Sequence, residues 1–340
     1  MTTAPPPPFP DAAMQIMSGM RYSAAAQAAA KLRIADALGE EPMDPGDLAK
    51  TVGADPDAFA RLMRALGAIG IFTATGDGRY AHNEASRSLR SDAPDAAYQM
   101  ALLAGSEWSW VVWHRLAEAV RTGDNAFVLH YGKSSHEYFT QDDTEVGLLF
   151  HRAMTAISEA TNVPVLAALD LTGVKSVADV GGGQGSLLRA VLEANPDITG
   201  TLFDTDQALS EIRPELRAGP LAGRVSVVAG DFHQEVPVSA DLYLLKHVLH
   251  VWDDDTAVNI LRNVTAGAPS GARVVSVEHL VADGPLLKLA AYLDLLMMLV
   301  TGGRERTEAE FAALFERAGL RMRGITKTAS PERLIEATVP

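Results

Sequence analysis

Near Gly173 the chain changes period. From that point short apolar, β-branched runs alternate with helical stretches. SVADV, TGTLFD, RVSVVAG, DLYLLKHVL and RVVSVEHL read as strands, each followed by a loop and usually by a helix. Strands that alternate with helices pack as a parallel sheet joined by right-handed crossovers. Such strands are covered on both faces, which is why these runs are nearly continuously apolar. Two last strand-like pieces, RMRGITKT and RLIEATV, predict an antiparallel addition at the sheet end. The expected fold class is α/β, with a Rossmann-like seven-stranded sheet in a domain over residues 171–340.

The preceding domain, residues 11–170, reads as helical. AAMQIMSGMRYSAAAQAAAKLRIADALGE sets apolar residues at helical spacing among many alanines, the strongest helix former. MDPGDLAKTVGADPDAFARLMRALGAIGIFTATGDGRYAHN predicts helix, turn, helix and a two-strand wing around Gly76–Gly78. Asp44 before Pro45 and Asp55 before Pro56 place N-caps beside first-turn prolines. This winged-helix pattern serves DNA binding in one reading and dimerisation or lid duty in the other. Its second helix offers only Arg61 and Arg64 as cations, and the 340-residue chain carries 29 Lys+Arg against 43 Asp+Glu, net −14. Phosphates and anionic lipids require a basic face, so neither nucleic acid nor membrane is an expected partner.

Further helices are expected over Glu107–Arg121, where Trp108, Trp110 and Trp113 read chiefly as packing, and over Thr144–Ala168. In the latter, Phe150, Met154 and Ile157 share one face and either pack or line a pocket. Residues 1–10, with Pro5–Pro8, read as a disordered proline-rich arm. Neither a signal peptide nor a spanning segment is visible, so a soluble, cytoplasmic protein is expected. The absence of cysteine excludes disulfides, thiolate metal sites and cysteine nucleophiles.

The first loop of the α/β half carries the strongest local signal. Asp179-Val180-Gly181-Gly182-Gly183-Gln184-Gly185 leaves a strand and enters a helix, and glycines let a backbone turn sharply and approach a ligand. Dinucleotide fingerprints want G-x-G-x-x-G; here the third place is Ser186 or Leu188, depending on the starting glycine. The pattern is instead Gly181, Gly183, Gly185, and an amino-acid group plus adenosine fits such a loop equally well. Asp204, at the end of the second strand, can accept both ribose hydroxyls. Asp231 and Phe232 follow the third strand and suit an adenine amino group and ring. The segment Lys246–Trp252 follows the fourth. Ligands of open α/β sheets bind outside the carboxyl ends of the strands, so these residues converge on one crevice.

DVGGGQG, LFD, GDF, KHVLHVWDD, VEH and GGRERTEAEF, in that order, closely resemble class I S-adenosylmethionine-dependent O-methyltransferases. More narrowly, the chain is similar to the caffeate/hydroxyneurosporene type and to bacterial enzymes that tailor aromatic natural products. The resemblance covers most of the chain. It implies S-adenosyl-L-methionine as cofactor, S-adenosyl-L-homocysteine as product, no metal, and a small aromatic substrate. It also implies a homodimer built by the N-terminal half, which helps to close the substrate pocket. It assigns Gly181, Gly183 and Gly185 to the methionine part, Asp204 to the ribose, Asp231 and Phe232 to the adenine, and places Lys246 and Trp252 beside the cofactor. His250 matches the general base, and Glu278 and Glu305 the acids that orient it. Asp294, Met297 and Met298 fall on the helix that lines the acceptor pocket, and His151 stands where relatives often carry Asn, as a polar contact to the acceptor.

The chemistry is consistent with those assignments. A phenol of pKa about 10 is a poor match for a free imidazole of about 6.5, and an adjacent carboxylate raises the base. His247 and His250 also suggest a metal pair, but the sequence shows no clear third ligand nearby. Thr307 and Glu310 read as a capping box, which leaves Glu305 without a structural duty. Val251 departs from the Asp that relatives commonly carry after the base. Two alternatives stand beside O-methylation: C- or N-methylation on the same fold, and a ligand-binding winged-helix regulator.

Overall fold

The computed structural model describes residues 12–340; the proline-rich arm expected over residues 1–10 lies outside the described residues. The chain divides into two compact units. Among the described residues, one comprises 12–110 and 144–156, the other 111–143 and 157–340.

In the first unit, α1 (Ala12–Lys31) and α2 (Ile34–Ala37) precede a helix-turn-helix of α3 (Pro45–Val52) and α4 (Pro56–Ala68). A small wing follows, β1 (Thr73–Ala74) paired antiparallel with β2 (Tyr80–Ala81). Asp44 and Asp55 cap α3 and α4 as their sequence context predicts, accepting from Gly46 N at 2.8 Å and Ala58 N at 2.9 Å. Ile34, Leu38, Leu48, Phe59, Met63, Leu66 and Phe72 form the buried core that holds the three-helix arrangement. Along the chain next come α5 (Glu84–Ser88), α6 (Ala97–Ala104), α7 (Glu107–His114), α8 (Leu116–Thr122), α9 (Ala126–Tyr131), α10 (Ser135–Gln141) and α11 (Thr144–Ala168), of which α8, α9 and α10 belong to the second unit and α7 is divided between the two. The single helix expected over Glu107–Arg121 is two helices, broken at Arg115, whose backbone leaves the helical basin at ψ 5°. Trp108 is buried, and Trp110 donates its indole N–H to Gln27 Oε1 of α1 at 3.2 Å, which is a packing role. The division between units runs through α11.

The second unit is built on a seven-stranded sheet. Its strands are β3 (Ser176–Val180), β4 (Thr199–Asp204), β5 (Val225–Ala229), β6 (Leu242–Lys246), β7 (Arg273–Glu278), β8 (Arg321–Lys327) and β9 (Arg333–Thr338). The spatial order is β5-β4-β3-β6-β7-β9-β8, parallel from β5 through β7, with β9 antiparallel to both β7 and β8. All seven predicted strands are present, and the last two form the antiparallel addition. The connecting helices are α12 (Ser186–Ala194), α13 (Asp206–Ser210), α14 (Pro214–Arg217), α15 (Asp254–Thr265), α16 (Leu287–Val300) and α17 (Glu308–Arg317). Side chains alternate across each strand. In β6, Leu242 and Leu244 join Val177, Leu188 and Leu202 on one face, while Tyr243 and Leu245 join Val180, Phe203 and Leu261 on the other. Both faces of the central strands are thereby dry, which is the physical reason their sequences are so strongly apolar; edge strand β5, expected to be covered like the rest, is largely exposed because no strand lies beyond it. No described helix is long and apolar enough to cross a membrane.

Candidate active site

Strand order reverses direction between β3 and β6, and the loops after the carboxyl ends of β3, β4, β5, β6 and β7 meet at that switch point. Gly181, Gly183 and Gly185 all take left-handed φ, at 71°, 57° and 80°, where an L side chain is strained. A Cβ on Gly182 would stand 2.6 Å from the Asp179 carboxylate, and one on Gly185 would overlap Leu216. A Cβ on Gly183 would meet nothing within 4 Å, so the loop is open on that side. The Gly183 N–H donates to Asp204 Oδ2 at 2.8 Å, and Thr205 N–H to Asp204 Oδ1 at 2.7 Å. The second-strand acid is thus aimed back at the glycine loop. Asp179, at the start of the motif, is buried and accepts from Leu188 N at 3.2 Å. Burial pushes its pKa up to about 7.

On the other flank, Asp231 accepts from His233 N at 2.9 Å and from Gln234 Nε2 at 3.1 Å. The rings of Phe232 and Trp252 are 6.3 Å apart and nearly perpendicular, with His233 edge-on to Trp252 at 4.4 Å. Phe232 lies 3.6 Å from where a Gly181 Cβ would be. An aromatic wall therefore stands beside the glycine loop, as required to cover a flat ring. The residues fit an adenosine bearing an amino-acid group: an open glycine cradle, a carboxylate at the ribose place and an aromatic wall.

Lys246, at the end of β6, is bonded to the long helix α11. Its ammonium donates to Ser158 O (3.0 Å), Ser158 Oγ (3.1 Å), Thr161 Oγ1 (2.9 Å) and Asn162 Oδ1 (2.8 Å), all on α11. Burial lowers its pKa to about 8. In this structure its visible work is tying the end of β6 to the long helix. Asn162 extends the tie by donating to Ser186 Oγ, at the start of α12, at 3.0 Å.

After β6 the chain turns sharply. His247 takes φ 56°, unusual for a residue with a side chain, and the one-turn helix Leu249–Val251 carries His250. Glu278, at the end of neighbouring β7 and fully buried, braces that turn: its Oε1 accepts from Val248 N at 3.1 Å and Leu249 N at 2.9 Å. The His250 imidazole is 12% exposed, with Nδ1 2.8 Å from Glu305 Oε1 and 3.6 Å from Glu278 Oε2. The two acids named in the sequence therefore do different things. Glu305 makes the direct bond to the ring, and Glu278 holds the backbone that presents it. Burial alone would lower the imidazole pKa, but the charges of Glu278 and Glu305 outweigh it and the value is raised. Burial likewise raises Glu278.

Glu305 is itself positioned. Its N–H donates to Asp294 Oδ1 of α16 at 2.9 Å. Arg304 N–H reaches His250 O at 2.9 Å, and Gly303 is required because a Cβ there would overlap the same carbonyl. Arg306 has no exposed surface. It donates to Leu249 O (2.9 Å), Trp252 O (2.8 Å) and Asp254 Oδ1 (2.9 Å), clamping the two ends of the His250 turn. Sequence reasoning gave no role to Arg306, Asp179, His279 or Glu332; an arginine inside GGRERTEAEF reads as solvated until its neighbours are known. The capping box of Thr307 and Glu310 is present as expected. His247 and His250 do acquire a third donor, Glu278, brought in by the adjacent strand. Met297 and Met298 are half-buried on α16 beside Asp294. Ile157 belongs to the second unit, whereas Phe150, His151 and Met154 belong to the first.

Comparisons with known proteins identify the family. Residues 113–321 match the model of the O-methyltransferase domain, and residues 14–92 that of the O-methyltransferase dimerisation domain. The mitomycin biosynthesis 6-O-methyltransferase of Streptomyces lavendulae is 36% identical, the match covering 94% of this chain and 92% of that one. A phenazine-1-carboxylate N-methyltransferase from Pseudomonas aeruginosa is 31% identical over 95% of this chain and 96% of its own length. An O-methyltransferase from neocarzinostatin biosynthesis was solved with S-adenosyl-L-homocysteine and 1,4-dihydroxy-2-naphthoic acid. It superimposes with TM-score 0.82 at 32% identity, covering 96% of this chain and 98% of that one. The chain belongs to the S-adenosylmethionine-dependent O-methyltransferase family, of the two-domain type that tailors bacterial natural products.

Proposed function

We propose that this enzyme methylates a phenolic or similar hydroxyl of a small aromatic metabolite, with His250 as general base. The observation that carries the reading is the His250–Glu305 pair at 2.8 Å, braced by Glu278, at the switch point of the sheet. S-adenosylmethionine supplies the electrophilic methyl group when bound. The glycine loop of Gly181, Gly183 and Gly185 would hold its methionine part, Asp204 its ribose, and Asp231, Phe232 and Trp252 its adenine. Because Nδ1 faces the carboxylates, Nε2 is the nitrogen a substrate hydroxyl would approach. Its task is to accept the hydroxyl proton while Glu305 stabilises the imidazolium that results. Asp294, Met297, Met298 and Ile157, with Phe150, His151 and Met154, are assigned to the acceptor side. Residues 11–170 would form the dimerisation and lid domain, residues 171–340 the cofactor domain, and the working unit a cytoplasmic homodimer. Transfer to nitrogen or carbon is the second reading, favoured by the likeness to an N-methyltransferase.

S-adenosylhomocysteine at a hundred times its Kd is expected to stabilise the fold by about 2.7 kcal/mol, read as a rise in melting temperature. No rise with either this compound or S-adenosylmethionine overturns the cofactor site. Mass spectrometry against a panel of phenols identifies the acceptor class, and sedimentation as a monomer at micromolar concentration removes the dimer.

The pH profile checks the base independently. His250 must be neutral to take a proton, and its pKa is raised, so the acid limb of kcat should lie above the ordinary imidazole value of about 6.5. Glu305→Gln removes one of the charges that raise it, so the limb should move to lower pH. A limb unmoved by that substitution would mean another group sets it.

A further inference from the structure

Six side chains of metal-ligating chemistry converge beyond the ends of β6 and β7 and at the start of β9: His247, His250, His279, Glu278, Glu305 and Glu332. The ring of His247 is 5.3 Å from that of His250 and 5.1 Å from that of His279, and its Nε2 is 3.4 Å from Glu332 Oε1. Proton abstraction by His250 has no use for His247 or Glu332. One donor atom from each of His247, His250 and Glu278 lies within 4.8 Å of the others.

The second observation is an orphaned acceptor. Glu278 has no exposed surface, and its Oε2 has no hydrogen-bond partner. That oxygen lies 3.6 Å from His250 Nδ1 and 4.0 Å from His247 Nδ1. Zinc binds imidazole nitrogen and carboxylate oxygen at about 2.0–2.2 Å, which sets donors around a tetrahedral ion about 3.3–3.6 Å apart. The His250–Glu278 pair already stands at that spacing, and His247, with Nδ1 4.0 Å from Glu278 Oε2, must draw closer to complete it. Glu305 Oε1, hydrogen-bonded to His250 Nδ1 at 2.8 Å, is near enough to serve as a fourth donor once an ion displaces the proton between them and the pair moves apart. Glu332 Oε1, 3.4 Å from the far nitrogen of His247, stands on the side from which a carboxylate fixes the tautomer of a metal-bound histidine.

We propose that His247, His250, Glu278 and Glu305 form a site for a zinc-class divalent ion, and that occupation of this site holds the enzyme inactive. The inhibitory half rests on His250 being the base. A neutral imidazole has one nitrogen with an available lone pair. An ion on Nδ1 takes that lone pair and leaves the ring proton on Nε2, so the face turned to substrate can no longer accept a proton. Binding releases whatever proton the cluster held and involves no redox change.

The test uses the full-length enzyme stripped with chelator. Cobalt(II) added to it should give the visible bands of a tetrahedral ion with imidazole and carboxylate ligands, at one equivalent per chain, and zinc should displace them. Zinc should abolish methylation of the best acceptor from the phenol panel, and EDTA should restore it. Magnesium, which demands octahedral oxygen donors, should do neither. His247→Asn, a residue that tolerates left-handed φ, should bind cobalt at least about tenfold more weakly and lose zinc sensitivity, read as the ratio of its own rates with and without zinc. Equal affinity in wild type and variant, or no bands in the wild type, overturns the site. Tight binding without inhibition overturns the inhibitory role. Anomalous diffraction at the zinc edge locates the ion in the wild type without reliance on any variant. The cobalt spectrum needs no turnover, so its failure leaves the general-base reading standing, and failure of that reading shows in chelated His250→Ala.

Discussion

His250→Ala is expected to lower the rate of methyl transfer by about 10²–10⁴-fold, the usual scale of a positioned general base, with S-adenosylhomocysteine affinity unchanged. Cofactor affinity should survive because the groups assigned to the cofactor include neither the imidazole nor its Glu305 partner. A residual rate should remain, since alignment of acceptor and methyl group supplies much of the acceleration without a base. Adding Glu305→Ala to His250→Ala should cost little more, because Glu305 acts on the reaction through the ring that is already gone. Product quantified by mass spectrometry in single turnover checks both points. An unchanged rate in His250→Ala would remove the base and favour a carbon or nitrogen nucleophile, or an acceptor already ionised.

The second large effect is on stability. Arg306→Ala should lower the folding free energy by about 3–5 kcal/mol, the combined cost of a large buried cavity and of carbonyls left without donors. The guanidinium is fully buried and serves Leu249 O and Trp252 O together with Asp254. Asp254 is itself part-exposed, so the loss is mainly that of packing and of the two carbonyl bonds rather than of a charge pair. Arg306→Lys should recover only part of it, since one ammonium cannot reproduce a planar fork reaching three acceptors. Denaturant titration gives the energy. Because Arg306 clamps the turn that carries His250, Arg306→Lys should also lower kcat more than it raises KM. A loss under about 1 kcal/mol for Arg306→Ala, within the range of an ordinary surface change, would show that the turn is held by other contacts.

Much of this arrangement is legible in the order of residues. The seven strands, the wing at Gly76–Gly78 and the caps at Asp44, Asp55 and Thr307 follow from local rules. Each depends on side chains within a few positions of one another. The glycine loop and Asp204 are legible for a related reason: they sit at carboxyl ends of parallel strands, and parallel topology brings such ends to one edge. The break at Arg115 was not legible, because continuous helical spacing on both sides conceals a one-residue interruption. Nor was the division of labour between Glu278 and Glu305, although both residues stand out in their motifs.

The sequence by itself determined the class of fold and the strand-end crevice, because period and motif are properties of short segments, and its family resemblance pointed to the histidine and carboxylates proposed for the site. Tertiary structure alone decided what each charged group does. Which carboxylate reaches His250, which braces its turn, and why Lys246 ties β6 to α11 depend on which donors and acceptors are left unpaired once the loops fold together. Arg306 shows the reason most plainly. Nothing in its neighbours along the chain marks it as buried, and it is buried because the turn around His250 leaves two carbonyls that only a guanidinium at that place can satisfy.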